Sequence, residues 1–207
     1  TGYFGKWHVP FPAKDTAAHG FDLMGAIKNN GADSEIPAPA AVFIKRPRVK
    51  PFLLVTSFVN PHNICEWARG DELKDGEVGA PPPPEACPPA VENPAPPEDE
   101  ADGMLLMRRS YQNNALFPVG NFDRNKWRQY RWAYFRMIEK VDALLAAILA
   151  ALRESGQLER TLIVFTADHG DAQPLSKVRE GRHRLPDALI IRGAHLEKCD
   201  QGVHGDE

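Results

Sequence analysis

The sequence has few cysteines, no long apolar run and no excess of positive charge. Its three cysteines, Cys65, Cys87 and Cys199, are widely spaced and form no CxxC pair. So few thiols in that arrangement indicate neither a disulfide framework nor a zinc–thiolate site. No apolar stretch approaches the roughly 20 residues of a membrane-spanning helix. The candidate "LLAAILAAL" at 144–152 is short and sits inside an amphipathic pattern. Lys and Arg number 25 against 28 Asp and Glu, a net charge of −3. A general nucleic-acid binder needs a broad basic face, so none is expected. Any anion site must be a local cluster of cations in a near-neutral chain.

What is present is a globular composition. With 207 residues, 43% of them hydrophobic, the chain is long enough for one substantial core. "KPFLLVTSFVNPH" (50–62) opens with an apolar run, Phe52 to Val59, that suits a strand buried on both faces. Asn60-Pro61 stops it. Residues 80–97 then carry nine of the 19 prolines, and the acidic "EDEAD" follows. Such a stretch is neither helix nor central strand. The spacing predicts an extended surface excursion over 80–102 within one domain, because both flanks carry pieces of what reads as a single sheet.

Over 125–156, apolar residues fall at Trp127, Tyr130, Tyr134, Met137, Val141, Leu144, Ile148 and Leu152. Spacings of three and four mark one face of a long helix. Asp123 or Asn125 suits its start and Gly156 its end. "TLIVFT" (161–166) follows as a β-branched strand, then "ADHGD" (167–171), and "ALIIRG" (188–193) is a further short strand candidate. Long helix, short turn, apolar strand and polar glycine-containing loop predict an α/β fold, a mostly parallel sheet with flanking helices. In such sheets functional groups collect beyond the carboxyl ends of the strands.

Three strand ends carry polar clusters. Lys6 and His8 in "TGYFGKWHVP" lie two apart on an extended backbone, so they point to the same side. They read as a seat for an anion or as a solvated strand end. His62 in "NPHN" reads as a structural, hydrogen-bonded imidazole or as a functional one. Asp168-His169-Gly170-Asp171 puts a carboxylate and an imidazole beside a turn-permitting glycine. Carboxylate oxygen suits Ca²⁺ or Mg²⁺, and imidazole also suits Zn²⁺. The competing reading is an Asx-type turn with a helix cap. His19-Gly20-Phe21-Asp22 and the Trp/Tyr-rich helix face read as packing. Cys87 opens "CPPAV", which fails the Cys-x-Pro-x-Arg modification motif because position 91 is Val.

"GKWH", then "SFVNPH", then a long helix running into "LRESGQLERTLIVFTADHGD", in that order, resembles the sulfatase family of the alkaline-phosphatase superfamily. The resemblance covers about residues 1–177. "PFLLVTSFVNPHNICEWAR" is similar to the arylsulfatase-type enzymes of bacteria that strip sulfate from carbohydrates. It implies an alkaline-phosphatase-like fold and a partial sulfatase catalytic domain over 1–207, with the proline-rich excursion at 80–102 and a divergent tail at 172–207. It also implies an internal piece of a longer enzyme, whose formylglycine-forming motif and acidic metal ligands lie outside this segment. The covered residues alone are then expected to show no turnover.

By that resemblance, Lys6 contacts the sulfate and the formylglycine. His8 assists sulfate elimination by taking a hydroxyl proton. His62 lies on the leaving-group side, binding sulfate or donating a proton. Asp168 and His169 are implied metal ligands, with Ca²⁺ the family's usual ion and Mg²⁺ or Zn²⁺ the alternatives. Lys177 is the candidate for the family's second lysine, although the glycine-histidine that usually follows "DHGD" is absent. The implied substrate is a sulfated carbohydrate or another sulfate ester. A bacterial member would be periplasmic or extracellular. The oligomeric state stays open. Two other readings remain: a phosphodiesterase or phosphonate monoester hydrolase of the same superfamily, and a non-catalytic sulfatase remnant.

Overall fold

The computed structural model describes residues 1–27, 31–90, 101–112, 114–115, 118–171 and 189–192. Strand β1 (Gly2–Lys6) leads through the short helix α1 (Thr16–His19) to β2 (Leu23–Ile27). Helix α2 (Pro37–Lys45) leads to β3 (Leu54–Ser57), and α3 (Ile64–Arg69) follows it. Beyond the proline-rich segment come α4 (Asp102–Gln112), the long α5 (Arg124–Glu154), β4 (Leu162–Phe165) and β5 (Leu189–Arg192).

β1 is the centre of a parallel three-stranded sheet in the order β2-β1-β3. Tyr3 faces Met24 on one side and Val55 on the other. Gly5 is obligatory here. Its φ is +125°, and a Cβ on it would sit 1.9 Å from the Ser57 carbonyl oxygen. Only a residue without a side chain tolerates that approach.

α2 and α5 cover one face of this sheet. Phe4 of β1 packs with Ile36, Ala40, Phe43 and Ile44 around α2 and with Ile148, Ala151 and Leu152 of α5. A second cluster lies further up α5, where Tyr130, Ala133 and Met137 meet Ile64 and Leu73. The periodic stripe read from the sequence is thus the buried face of one 31-residue helix. The Asp123 side chain accepts the Lys126 N–H at 2.7 Å and caps its start. At the other end the Gln157 and Gly156 N–H groups return to the Leu152 and Arg153 carbonyls, a Schellman ending with Gly156 at φ +67°.

The structure departs from the sequence expectations in three places. β3 is shorter than the run Phe52–Val59 and is half-buried rather than enclosed, because among the described residues it pairs only with β1. β4 is not in the same sheet: it pairs antiparallel with β5, the run predicted at 188–193. β4 reaches the common core through Ile163, while Leu162, Val164 and Phe165 are each more than half exposed. Helix α4, at the end of the acidic stretch, is an 11-residue helix that the sequence reading does not include.

The described part of the proline-rich excursion is laid along α5. Arg128 Nη2 donates to the Glu85 and Cys87 carbonyls at 3.0 and 2.7 Å, and Arg131 donates to the Pro89 carbonyl. The prolines supply no N–H groups for a ladder, so the carbonyls of this segment take side-chain donors instead. No helix of the described residues is long and apolar enough to cross a membrane.

Candidate active site

The parallel sheet sends the ends of β1 and β3 out on one side. β1 and β3 are parallel, so Lys6 and the turn after Ser57 leave the sheet on the same side. Lys6 ends β1 half-buried, and its carbonyl accepts the Tyr3 hydroxyl, which steadies the strand end. Trp7 is packed edge-on between Tyr3, Phe11 and His19. His8 is exposed two residues beyond β1. The period-2 pairing of Lys6 and His8 therefore holds only up to the last ladder residue.

His62 sits in the turn between β3 and α3, its N–H bonded to the Val59 carbonyl at 3.0 Å. His62 is exposed, yet its pKa is lowered from 6.5, first by hydration lost on the side that faces the protein and then by the positive charge of Lys6. Glu66 and Asp168 oppose that shift, and His169 adds to it. Charges from β1 and from the loop after β4 thus act on a side chain carried by β3. The structure brings Lys6, His62, Asp168 and His169 into one electrostatic neighbourhood, and His8 stands outside the groups that act most on His62. Lys177, the other sequence candidate, lies outside the described residues.

The loop after β4 is built by its own hydrogen bonds. Asp168 Oδ1 accepts the His169 N–H at 2.9 Å, and His169 Nδ1 lies 2.9 Å from the Gly170 carbonyl. A carbonyl only accepts, so Nδ1 carries the proton and Nε2 presents its lone pair. That lone pair lies 3.7 Å from Asp168 Oδ2, both side chains being largely exposed. One divalent ion at about 2.0–2.6 Å from each donor spans such a separation. The oxygen and nitrogen donors therefore fit as part of a coordination shell. Among the described residues no group of three or more His, Cys, Asp or Glu side chains gathers around them.

Two residues join this site that the sequence did not single out for it. Asp171 Oδ2 accepts the Tyr130 hydroxyl of α5 at 2.9 Å. Lost hydration raises the Asp171 pKa, while Tyr130 and the nearby His62 and His169 hold it down. Asp171 keeps solvent contact, so the shift reflects crowding on one side and not enclosure. Tyr130, read as packing, is buried and also carries this bond. A tyrosine at a position where leucine would fill the stripe was the one available signal. Cys65, on the first turn of α3, is pushed up to about 11 by burial and by the negative charges of Glu66 and Asp171. It is no nucleophile in that state.

His19 is structural, as expected. Its Nδ1 accepts the Phe21 N–H at 3.0 Å, and its Nε2 donates to the Ala13 carbonyl at 2.9 Å.

The sulfatase family model matches residues 1–190. Arylsulfatase K of Gallus gallus is 37% identical over 98 residues, 44% of this chain and 17% of that protein. The multifunctional alkaline phosphatase superfamily protein PehA of Trinickia caryophylli is 30% identical over 105 residues, 47% of this chain and 20% of that protein. A crystal structure from Bacteroides thetaiotaomicron VPI-5482, assigned as a sulfatase, superposes with a TM-score of 0.53 at 21% identity. It covers 69% of this chain and 30% of its own. The matched segments are thus a minor part of the relatives' length, and the solved structure bears on the fold alone.

Proposed function

The chain belongs to the sulfatase family, and on that premise we propose that it forms part of the catalytic domain of a sulfuric ester hydrolase acting on a carbohydrate or aryl sulfate. One observation carries the reading. Lys6 from the end of β1 and Asp168 and His169 from the loop after β4 all bear on His62 in the turn after β3. A fixed cation beside a neutral imidazole and a carboxylate–imidazole pair suits a tetrahedral anion whose ester oxygen must leave.

In this reading Lys6 binds a sulfuryl oxygen and neutralises charge that grows there. His62, neutral in the free site, donates a hydrogen bond from its ring N–H toward the ester oxygen. His8 lies on the exposed rim, placed to take a proton from a hydroxyl brought to the strand end. Asp168 and His169 would hold a divalent ion, Ca²⁺ in the first instance, with Asp168 Oδ2 and His169 Nε2 as donors. Such an ion, when bound, supplies Lewis-acid stabilisation of charged oxygens. We assign the formylglycine nucleophile to residues outside this segment.

The similarity to PehA favours a second reading, a phosphate-ester hydrolase of the same superfamily. The full-length protein decides between them when given 4-nitrophenyl sulfate, a sugar sulfate and bis(4-nitrophenyl) phosphate at matched concentration and Ca²⁺. Preferred sulfate release, lost in Lys6→Ala, supports the sulfatase. Preferred cleavage of the phosphodiester supports the second reading, and turnover of none supports a non-catalytic relative.

A further inference from the structure

Asp33 sits in a single 3₁₀ turn ahead of α2 and is wholly buried, at 0% exposure. A buried carboxylate needs donors or a cation. Among the described residues it has donors only, and all come from the turn that carries His62. Its Oδ1 accepts the Val59 N–H at 2.7 Å, and its Oδ2 accepts the Asn60 N–H at 2.9 Å and Asn60 Nδ2 at 3.0 Å. β3 ends at Ser57, so these two backbone N–H groups lie just beyond the ladder. One carboxylate gripping two consecutive N–H groups fixes the direction of the chain as well as satisfying it. The Val59 carbonyl then takes the His62 N–H, which places the imidazole one turn from Asp33.

Asp75 holds Asp33 in place. Its carboxylate accepts the Asp33 and Ser34 N–H groups, both at 2.9 Å, and Asn60 Nδ2 at 3.1 Å. Its carbonyl accepts Lys140 Nζ from α5 at 2.8 Å. A continuous hydrogen-bonded strut therefore runs from the long helix through Asp75 and Asp33 to the turn at 59–62. A merely filled core would use apolar side chains at less cost than a buried carboxylate without a cation.

We propose that Asp33 is the positioning residue for His62: its carboxylate, buttressed by Asp75, fixes the Val59–Asn60 backbone that carries the imidazole to the end of the sheet. The catalytic consequence rests on the sulfatase reading, and the structural claim does not.

Asp33→Asn tests it with little change of volume. An amide meets two backbone N–H groups with a donor where an acceptor was, so one must let go. In the full-length protein, amide exchange at Val59 and Asn60 is expected to quicken by about 10- to 100-fold, and the His62 ring resonances shift. Ile44→Val, a core change away from the turn, should leave the His62 resonances in place and not single out those two amides. On a sugar sulfate Asp33→Asn should lower kcat with little change in KM, and should add little to the loss caused by His62→Ala. A folded Asp33→Asn with both amides still protected and His62 unmoved overturns the proposal, as does a kcat loss that multiplies fully with that of His62→Ala. Absence of any sulfatase activity defeats the functional reading and leaves the exchange and resonance comparison to decide. If Asp33→Asn does not fold, Asp75→Asn takes its place, and an unmoved His62 there overturns the proposal equally.

Discussion

The Tyr130 hydroxyl donates to Asp171 Oδ2 at 2.9 Å, joining the long helix to the loop after β4 across 41 positions of sequence. β4 pairs with none of β1, β2 and β3, so this bond and the Ile163 packing help to tie the Asp168–Asp171 loop to the body. Tyr130→Phe keeps the ring against Trp67, Phe122 and Trp127 and removes only the donor. The expected cost is about 1 kcal/mol, with Asp171 still partly hydrated. In the full-length protein Ca²⁺ affinity should fall about 10- to 100-fold, because the loop proposed to hold the ion loses its support. Denaturant unfolding and a Ca²⁺ titration check this. An unchanged midpoint with unchanged affinity would show that the bond positions nothing.

Gly5→Ala should be among the most damaging single changes in the sheet. The added methyl meets backbone, not a side chain that can rotate away, at a φ of +125°. The loss should exceed the ~3 kcal/mol that bounds most substitutions, and it should displace Lys6, the next residue. Far-ultraviolet circular dichroism with thermal melting reads it. A melting point within a few degrees of the parent contradicts the register of β1 against β3.

The sequence shows some of this architecture and hides the rest for physical reasons. The α5 stripe was legible because a 31-residue helix repeats its signal over many turns, and its Asp123 and Gly156 ends have local chemistry. β4 and β5 were legible as apolar runs, but pairing is a choice among partners and does not show in composition. Lys6, His62, Asp168 and His169 stand out as candidates at strand ends and through the resemblance. Asp33 and Asp75 do not, since a buried carboxylate looks like any surface acid until the turn it grips is seen. Tyr130 was read as core, which is half of what it does.

Alkaline pH should loosen the second core cluster. Burial pushes the Cys65 thiol from 9.0 to about 11, so the folded chain keeps a proton that the unfolded chain releases. The contribution is fully present below about pH 9 and is lost as pH rises through about 11. Tyr130 and Tyr134, also raised by burial, extend the effect to higher pH. Denaturant midpoints at pH 8, 9 and 10 should fall more steeply for the parent than for Cys65→Ala. Parallel curves would mean that the thiol is free to ionise in the fold.

His62 and Asp168 should separate when substrates with good and poor leaving groups are compared. A carbohydrate alkoxide needs a proton or a strong donor as the S–O bond breaks, whereas a nitrophenolate largely does not. His62 is neutral in the free site because lost hydration and Lys6 both disfavour its charge, so it helps by donating from the ring N–H. His62→Ala in the full-length protein should therefore slow a sugar sulfate by about 10²–10⁴-fold and nitrophenyl sulfate far less. Asp168→Ala removes a proposed ligand of the divalent ion, so it should damage both substrates alike and respond to added Ca²⁺. Steady-state rates on both substrates at matched Ca²⁺ make the comparison. Equal losses on the two substrates for His62→Ala would reject its role toward the leaving group and leave it as a group that binds the sulfate.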